Sequence, residues 1–400
     1  MSGKADSKNN RLEVYVRSGT KQLRCGFTTG TCAALAAAGA AELLLSGRTP
    51  DRLRLVTPKG IPVEVVPEKI RKDGDTAVCS VKKDAGDDPD VTDGMLVTAS
   101  VSRIESGIRI DGGEGVGRVT RPGLDQPAGS AAINSVPRQM ITAAAAAVCE
   151  ENGYPGGLMI VISIPGGRER AAKTFNPQLG IEGGLSVLGT SGIVEPMSEQ
   201  ALTETIELEI RQTACTNGGR LILTPGNYGL DYLEQQNDVF RKVPHVKCSN
   251  YIGDALDMAA AEGFREVLLV GHVGKLVKLA AGIMNTHSHM ADGRREIFCS
   301  HAALCGAGQD VCADLMRQVT TDGCLEILDQ AGMREAVLKS ILEAVQEHLD
   351  LRAAGRMTVG AVLFSNVYGT LGMTEKAEKL LDDWSRGETA ESGRDRKDTK

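Results

Sequence analysis

The spacing of apolar and polar positions gives the two halves of the chain different rhythms. An alanine-rich apolar run predicts a helix from about Thr31 to Leu45, ended by Ser46-Gly47. Short or alternating apolar runs follow from Leu53 to Val66, Ala77 to Val81 and Val91 to Ile110. They are broken at Pro58-Lys59-Gly60 and Asp73-Gly74-Asp75, and they predict strands joined by turns. Ser135 and Pro137 open a second alanine-rich helix that ends near Asn152-Gly153, and Leu158 to Ile164 is apolar enough for a buried strand. Many strands among few helices predict an α+β domain over 23–195, behind a disordered lead-in of 1–22.

Past the glycine-rich stretch 176–196 the rhythm changes. Glu199 to Ala214 is amphipathic, Arg220 to Leu223 reads as a strand, and Val243 to Cys248 as another. Ser249 is placed to cap a helix to Glu262, Glu266 to Val270 forms a third strand, and Lys275 to Met284 a helix. Helices are predicted at Asp310 to Val319, Leu325 to Asp329 and Met333 to Leu349, with one more strand at Val359 to Phe364. Strands that alternate with helices imply a parallel sheet with crossover connections, so 196–385 is expected to be an α/β, Rossmann-like domain. Residues 386–400 are charged and expected to be a disordered tail.

Composition narrows the class. The 400 residues are 42% hydrophobic, enough for two or three cored domains. The polar opening MSGKADSKNN has no apolar signal core, so the expected location is cytoplasmic, and no apolar run is long enough to suggest a membrane partner. A net charge of −7 and 3% aromatic residues argue against nucleic acid. The 10 cysteines contain no C-x-x-C pair and are expected to be buried small hydrophobes.

Three kinds of loop carry candidate chemistry. In Leu23 to Ala34, LRCGFTTGTCAA, a turn bearing Thr28, Thr29, Gly30 and Thr31 runs straight into a helix, whose free amides attract anions. Its spacing lacks the lysine of a P-loop. Asp111 to Gly123, DGGEGVGRVTRPG, fails the dinucleotide spacing at Arg118, but Arg118 and Arg121 have the geometry to clamp carboxylates. In the second half, loops at Gly226 to Gly229, Lys247 to Asn250 and Gly271 to Lys275 fall at strand carboxyl ends, where open α/β sheets bind ligands. His287 and His289 form a His-x-His without an assured third ligand; hydrogen-bonding or acid-base roles are the more usual ones.

These loops, with PAGSAAINSVPRQMI, PGGRERAAKTFNPQLGIEGGLSVLGTSGIVEPMS, TPGNYG, KCSNYIGDALDMA and GHVGKLVKLAAGIMNTHSHMADGR, together resemble the CbiD family over about 23–380. The resemblance implies an S-adenosylmethionine-dependent C-methyltransferase of anaerobic cobalamin biosynthesis, acting on carbon 1 of cobalt-precorrin-5B to give cobalt-precorrin-6A. It implies a corrinoid substrate that carries its own cobalt, so that no metal is held by the protein. The helix start at Thr28–Thr31, with Arg118, Arg121, Arg138, Arg168 and Arg170, would then meet the substrate carboxylates. The methyl donor is assigned to Gly226, Asn227, Tyr228, Gly229, Ser249, Asn250, Gly271, His272, Gly274 and Lys275, and His287 and His289 are expected to be catalytic, facing the ring or relaying a proton. A non-catalytic tetrapyrrole or cobalt carrier and a nucleotide-dependent phosphotransferase stay open as alternatives, as does a homodimer.

Overall fold

The computed structural model describes residues 10–394 apart from 19, 175, 178, 217, 218 and 237. The chain divides into two compact units, Met1–Glu199 and Gln200–Lys400. Both parallel and antiparallel sheets occur, with helices packed on them. The first part of the predicted lead-in (1–9) and the end of the predicted tail (395–400) lie outside the described residues, while a hairpin of Tyr15–Ser18 and Lys21–Arg24 and a helix Glu375–Arg394 occupy the nearer parts of those stretches.

In the first unit a five-stranded sheet has the order Lys69–Asp73, Thr76–Lys82, Leu96–Ile104, Gly157–Ser163, Ile108–Gly112. Its pairs are antiparallel except the last, which is parallel. The period-2 alternation of the central strands places Val97, Ala99 and Val101, with Leu158, Ile160 and Ile162, in the core. Helix Thr29–Ser46 lies against this sheet and against helix Ser135–Glu151. It is buried almost all round, because its alanines let both neighbours approach closely. By length and composition alone that helix is long and apolar enough to cross a bilayer, but 78% of its apolar window is buried inside the unit, as in a core helix.

In the second unit the sheet order is His245–Lys247, Arg220–Thr224, Glu266–His272, Thr358–Ser365, Gly369–Met373. The first four strands are mutually parallel and the last is antiparallel, with a register shift between Leu363 and Phe364. Both faces are covered, which is why the strands are nearly continuous apolar runs. Leu221, Leu223, Val267, Leu269 and Leu363 pack with helices Ile252–Ala261, Arg294–Leu304 and Arg334–Ala353. On the opposite face Ile222, Leu268, Val270 and Phe364 pack with Leu233 of helix Asn227–Glu234 and with Leu380 and Trp384 of helix Glu375–Arg394. The predicted helix from Lys275 to Met284 is instead one α-turn, Val273–Leu276, followed by a 3-10 turn, Val277–Ala281, which the left-handed Gly282 ends.

The cysteines depart in part from the expectation. All are free thiols, and Cys25, Cys32, Cys79, Cys248 and Cys324 are buried. Burial pushes the Cys32, Cys79 and Cys248 thiols up to about 12. Cys149, Cys299, Cys305 and Cys312 are only half-buried, and Cys215 is exposed.

Candidate functional site

The carboxyl ends of two neighbouring strands in the second unit form a topological switch point, the kind of place where open α/β sheets have a ligand crevice. Arg220–Thr224 leaves through Pro225 into helix Asn227–Glu234 on one face, whereas Glu266–His272 leaves into Val273–Leu276 on the other. Connections that leave adjacent strands for opposite faces are where open α/β sheets bind ligands. Lys275 links the two loops: Nζ donates to the Pro225 carbonyl and lies 3.6 Å from where a Cβ on Gly226 would stand. Burial pushes the Lys275 ammonium below the usual lysine range. Gly271 lets the loops meet, since a Cβ there would come within 2.8 Å of Pro225 Cγ, and Gly229 does the same beneath Thr224. Lys247 Nζ donates to Asn227 Oδ1 at 3.3 Å. His272 accepts the Gly274 amide on Nδ1 at 3.1 Å, which places its proton on Nε2, and burial lowers its pKa so that the ring is neutral near pH 7.

Two details differ from the sequence reading. Ser249 is not a helix cap: helix Ile252–Ala261 is preceded by Tyr251, and Ser249 sits at φ 54°, a left-handed conformation that costs a non-glycine residue on the order of 1 kcal/mol. Asn250 turns towards the histidine loop, where its carbonyl accepts the Thr286 amide at 2.9 Å and its Oδ1 the Thr286 hydroxyl at 3.2 Å.

That loop is held from below. Lys278 is 3% exposed, and its Nζ donates to the carbonyls of Thr286 at 3.1 Å and Ala291 at 2.8 Å, with Asp292 3.9 Å away. His287 and His289 stand exposed at its tip, 4.9 Å apart and edge to face, and His287 Nδ1 accepts the His289 amide. No group of three or more His, Cys, Asp or Glu side chains suited to a metal ion occurs among the described residues.

In the first unit the threonine turn is closed by the chain itself. Thr28 caps the helix by accepting the Thr31 amide at 3.2 Å; Thr31 donates its hydroxyl to Gly192 O at 2.7 Å. Thr29 Oγ1 both donates to Leu188 O and accepts the Leu188 amide, and the Gly30 amide donates to Leu188 O. The anion-attracting donors of this helix start are therefore taken up by the 188–192 loop, and as a ligand cradle the expectation for Thr28–Thr31 is corrected to a structural seam. Arg138 is corrected likewise: its guanidinium donates to the carbonyls of Ile133, Ile110 and Ala131, and burial depresses its pKa.

The other arginines remain on the surface of three interlocked loops. Gly115, Gly167 and Gly184 meet backbone to backbone, so a Cβ on Gly167 or Gly184 would lie 2.3 Å from Gly115 O. Arg118 leaves this knot exposed and pairs with Asp111 at 2.9 Å. Arg121 lays its methylene stem over Gly180, Arg168 is exposed at the start of helix Gly167–Ala171, and Arg170 donates to Val91 O at 3.2 Å.

The CbiD family model matches residues 16–196, and the model described as CbiD, C-terminal domain, matches 285–375. A protein of Ruminiclostridium cellulolyticum named cobalt-precorrin-5B C(1)-methyltransferase is 46% identical over 94% of this chain and 100% of its own. Proteins of the same name from Alkaliphilus metalliredigens and Photorhabdus laumondii are each 40% identical, over 93% and 90% of this chain and 97% and 96% of theirs. The chain belongs to the CbiD family. A crystal structure of the cobalamin biosynthesis protein cbiD from Archaeoglobus fulgidus is 28% identical, covering 70% of this chain and 87% of that one at a TM-score of 0.38.

The strand-end loops of this CbiD chain fall between the two segments that the family models match. Sequence reasoning missed two features. One is the pair Asp322 and Ser365, joined by a 2.7 Å hydrogen bond beside His272; they lie 43 positions apart, so no motif spacing marks them. The other is an open groove of about 830 Å³ in the first unit, between the helices Thr29–Ser46 and Ser135–Glu151 and the hairpin Leu53–Val65. Met140, Ala143, Ala144 and Ala147 form an apolar wall there, with Arg52 and Arg54 also lining the groove. Its volume suits a bound small molecule, and none of the predicted site residues lines it.

Proposed function

We propose that this protein transfers a methyl group from S-adenosylmethionine to carbon 1 of cobalt-precorrin-5B, giving cobalt-precorrin-6A, with the cobalt arriving in the substrate. The observation that carries the reading is identity of 46% along 94% of the chain to a relative named for that reaction. The donor supplies an already activated methyl, so the work left to the protein is to bind two partners, align them and exclude water.

The division of labour follows from the two units. The second, with the parallel sheet of a Rossmann-like domain, takes the donor in its crevice: Gly226 and Gly274 leave backbone free of side chains, and Lys275 offers a cation to the donor carboxylate. The first takes the corrinoid, with Arg118, Arg121, Arg168 and Arg170 meeting its carboxylates. His287 and His289, exposed on a braced loop, are assigned the relay of a proton. One observation favours a second placement of the ring within the first unit: the 830 Å³ groove provides the apolar wall that the arginine loops lack.

Anaerobic incubation with cobalt-precorrin-5B and methyl-labelled S-adenosylmethionine tests the function. Label in the corrinoid, with equimolar S-adenosylhomocysteine, is the expected result; binding without label transfer would instead support a carrier. Arg118→Ala and Ala143→Trp then separate the two placements, since the one that weakens corrinoid binding marks the surface that meets the ring.

A further inference from the structure

Aromatic side chains make up only 3% of the chain, yet several gather at one end of the second sheet. Tyr232 stacks on Phe364 at 4.3 Å and 10°, the His272 ring stands edge-on to Phe364 at 5.7 Å, and Tyr228 lies 6.0 Å from His272. Phe364 is buried, and the His272 ring is fixed by the Gly274 amide, so the inner members of this column are immobile. Tyr228, the outermost, is 61% exposed. A large ring left open to water on a rigid aromatic support offers a flat face to a flat ligand.

Beside His272 stands a carboxylate without an ion-pair partner among the described residues. Asp322 is half-buried at the first turn of helix Thr321–Gln330 and makes no ion pair among the described residues. Its Oδ1 accepts the Ser365 hydroxyl at 2.7 Å. Ser365 is itself fixed as acceptor of the Val367 and Tyr368 amides, so its proton is committed to Asp322. The neighbouring Thr321 touches the Gly274 loop: a Cβ on Gly274 would lie 3.6 Å from Thr321 Oγ1. A positioned carboxylate with lone pairs to spare on one side of His272, and an open tyrosine ring also beside His272, match a vicinal diol attached to a planar base. Lys275 lies on the Gly226 side of the crevice, which leaves the Asp322 side to the neutral end of a ligand.

We propose that this end of the crevice is an adenosine subsite: Tyr228 and His272 form the platform for adenine, and Asp322, held by Ser365, accepts the ribose hydroxyls. The proposal rests on the reading that the second unit binds the methyl donor, and it adds Asp322 and Ser365 to that site.

Calorimetry on the full chain with S-adenosylhomocysteine and with 5′-methylthioadenosine, which lacks the amino-acid part, tests it. Asp322→Asn keeps an acceptor for Ser365, and it should weaken both ligands by about tenfold or more. Tyr228→Ala should weaken both to a similar degree, whereas Tyr228→Phe keeps wild-type affinity because stacking needs only the ring. Melting temperatures near wild type establish that the variants are folded. Should Asp322→Asn weaken S-adenosylhomocysteine alone, the carboxylate serves the donor ammonium and the assignment is overturned. It is overturned equally if both substitutions bind as wild type while Gly271→Val, which obstructs the crevice, does not bind. If Gly271→Val also binds normally, the underlying placement of the donor in the second unit fails.

Discussion

Replacing Lys278 by methionine tests how the histidine loop is held. The substitution nearly preserves side-chain length while removing a charge that is 3% exposed and the donor of hydrogen bonds to Thr286 O and Ala291 O. Each bond from a charged donor contributes about 1.5–3 kcal/mol. Burial of the ammonium opposes this, as the lowered lysine pKa records, and Asp292 at 3.9 Å offsets only part of it. The net loss should be about 2–4 kcal/mol.

That loss should appear locally. The freed carbonyls regain water when the loop opens, a smaller event than unfolding the sheet beneath. Hydrogen exchange should show the Met290 and Ala291 amides, both bonded to His287 O, losing roughly 30- to 700-fold protection, with 1.4 kcal/mol counting as tenfold. The Thr286 amide, held by Asn250 O, should keep more of its protection, and the melting temperature should fall by only a few degrees. Turnover should fall with the loop if His287 and His289 relay a proton. Unchanged exchange at Met290 and Ala291 would refute the argument that the buried ammonium holds the loop.

Three further outcomes follow from the same geometry. Arg138→Met, which removes donors to three carbonyls, should destabilise the first unit by about 2–4 kcal/mol in urea titration yet leave the corrinoid affinity of folded protein unchanged. Burial alone would raise the Asp90 carboxyl, but the buried Lys83 ammonium 2.6 Å away and Thr92 outweigh it and hold it below the ordinary range. A depressed carboxylate contributes stability above its unfolded value of about 3.9 and loses it as pH falls through the folded value, so Lys83→Met should move the acid-unfolding midpoint upward by circular dichroism. Treatment with a chelator should leave the melting temperature unchanged, whereas stoichiometric metal released only on unfolding would revive a metal role for His287 and His289.

The elements legible in the sequence are those whose burial follows a simple period. Leu96–Ile104 alternates because one face meets the core, and Glu266–His272 carries the unbroken apolar run Val267–Val270 because both faces do. Elements decided by other means were hard to read. Asn227–Glu234 begins in a Pro-Gly turn and passed for loop, although Leu233 anchors it. Half of the 20 residues of Glu375–Arg394 are charged, and among its described side chains Ala377, Leu380 and Trp384 are buried, with the Trp384 indole donating to Glu266 at 2.6 Å. The helix expected from Lys275 to Met284 stops early because Gly282 adopts the left-handed conformation that ends it.

For the site, composition of a loop indicated where chemistry is located but not which atoms are free to perform it. The Thr28–Thr31 turn and the Gly271–Lys275 turn both present glycines and polar groups at a helix start. They differ in what the rest of the chain places opposite them. The 188–192 loop returns to Thr28–Thr31 and saturates its donors, a pairing across about 160 residues that local reading does not reveal. At the Gly271–Lys275 turn the Gly274 amide is taken up within the turn by His272, Lys275 reaches one carbonyl, and the nearby Tyr228 ring is exposed while Asp322 has no ion-pair partner among the described residues. A helix start whose partners are other loops is a seam of the fold, whereas one whose partners retain capacity can serve a ligand. By that criterion the strand ends are the better candidate for the proposed donor site, and the threonine turn keeps the first unit closed around its alanine helix.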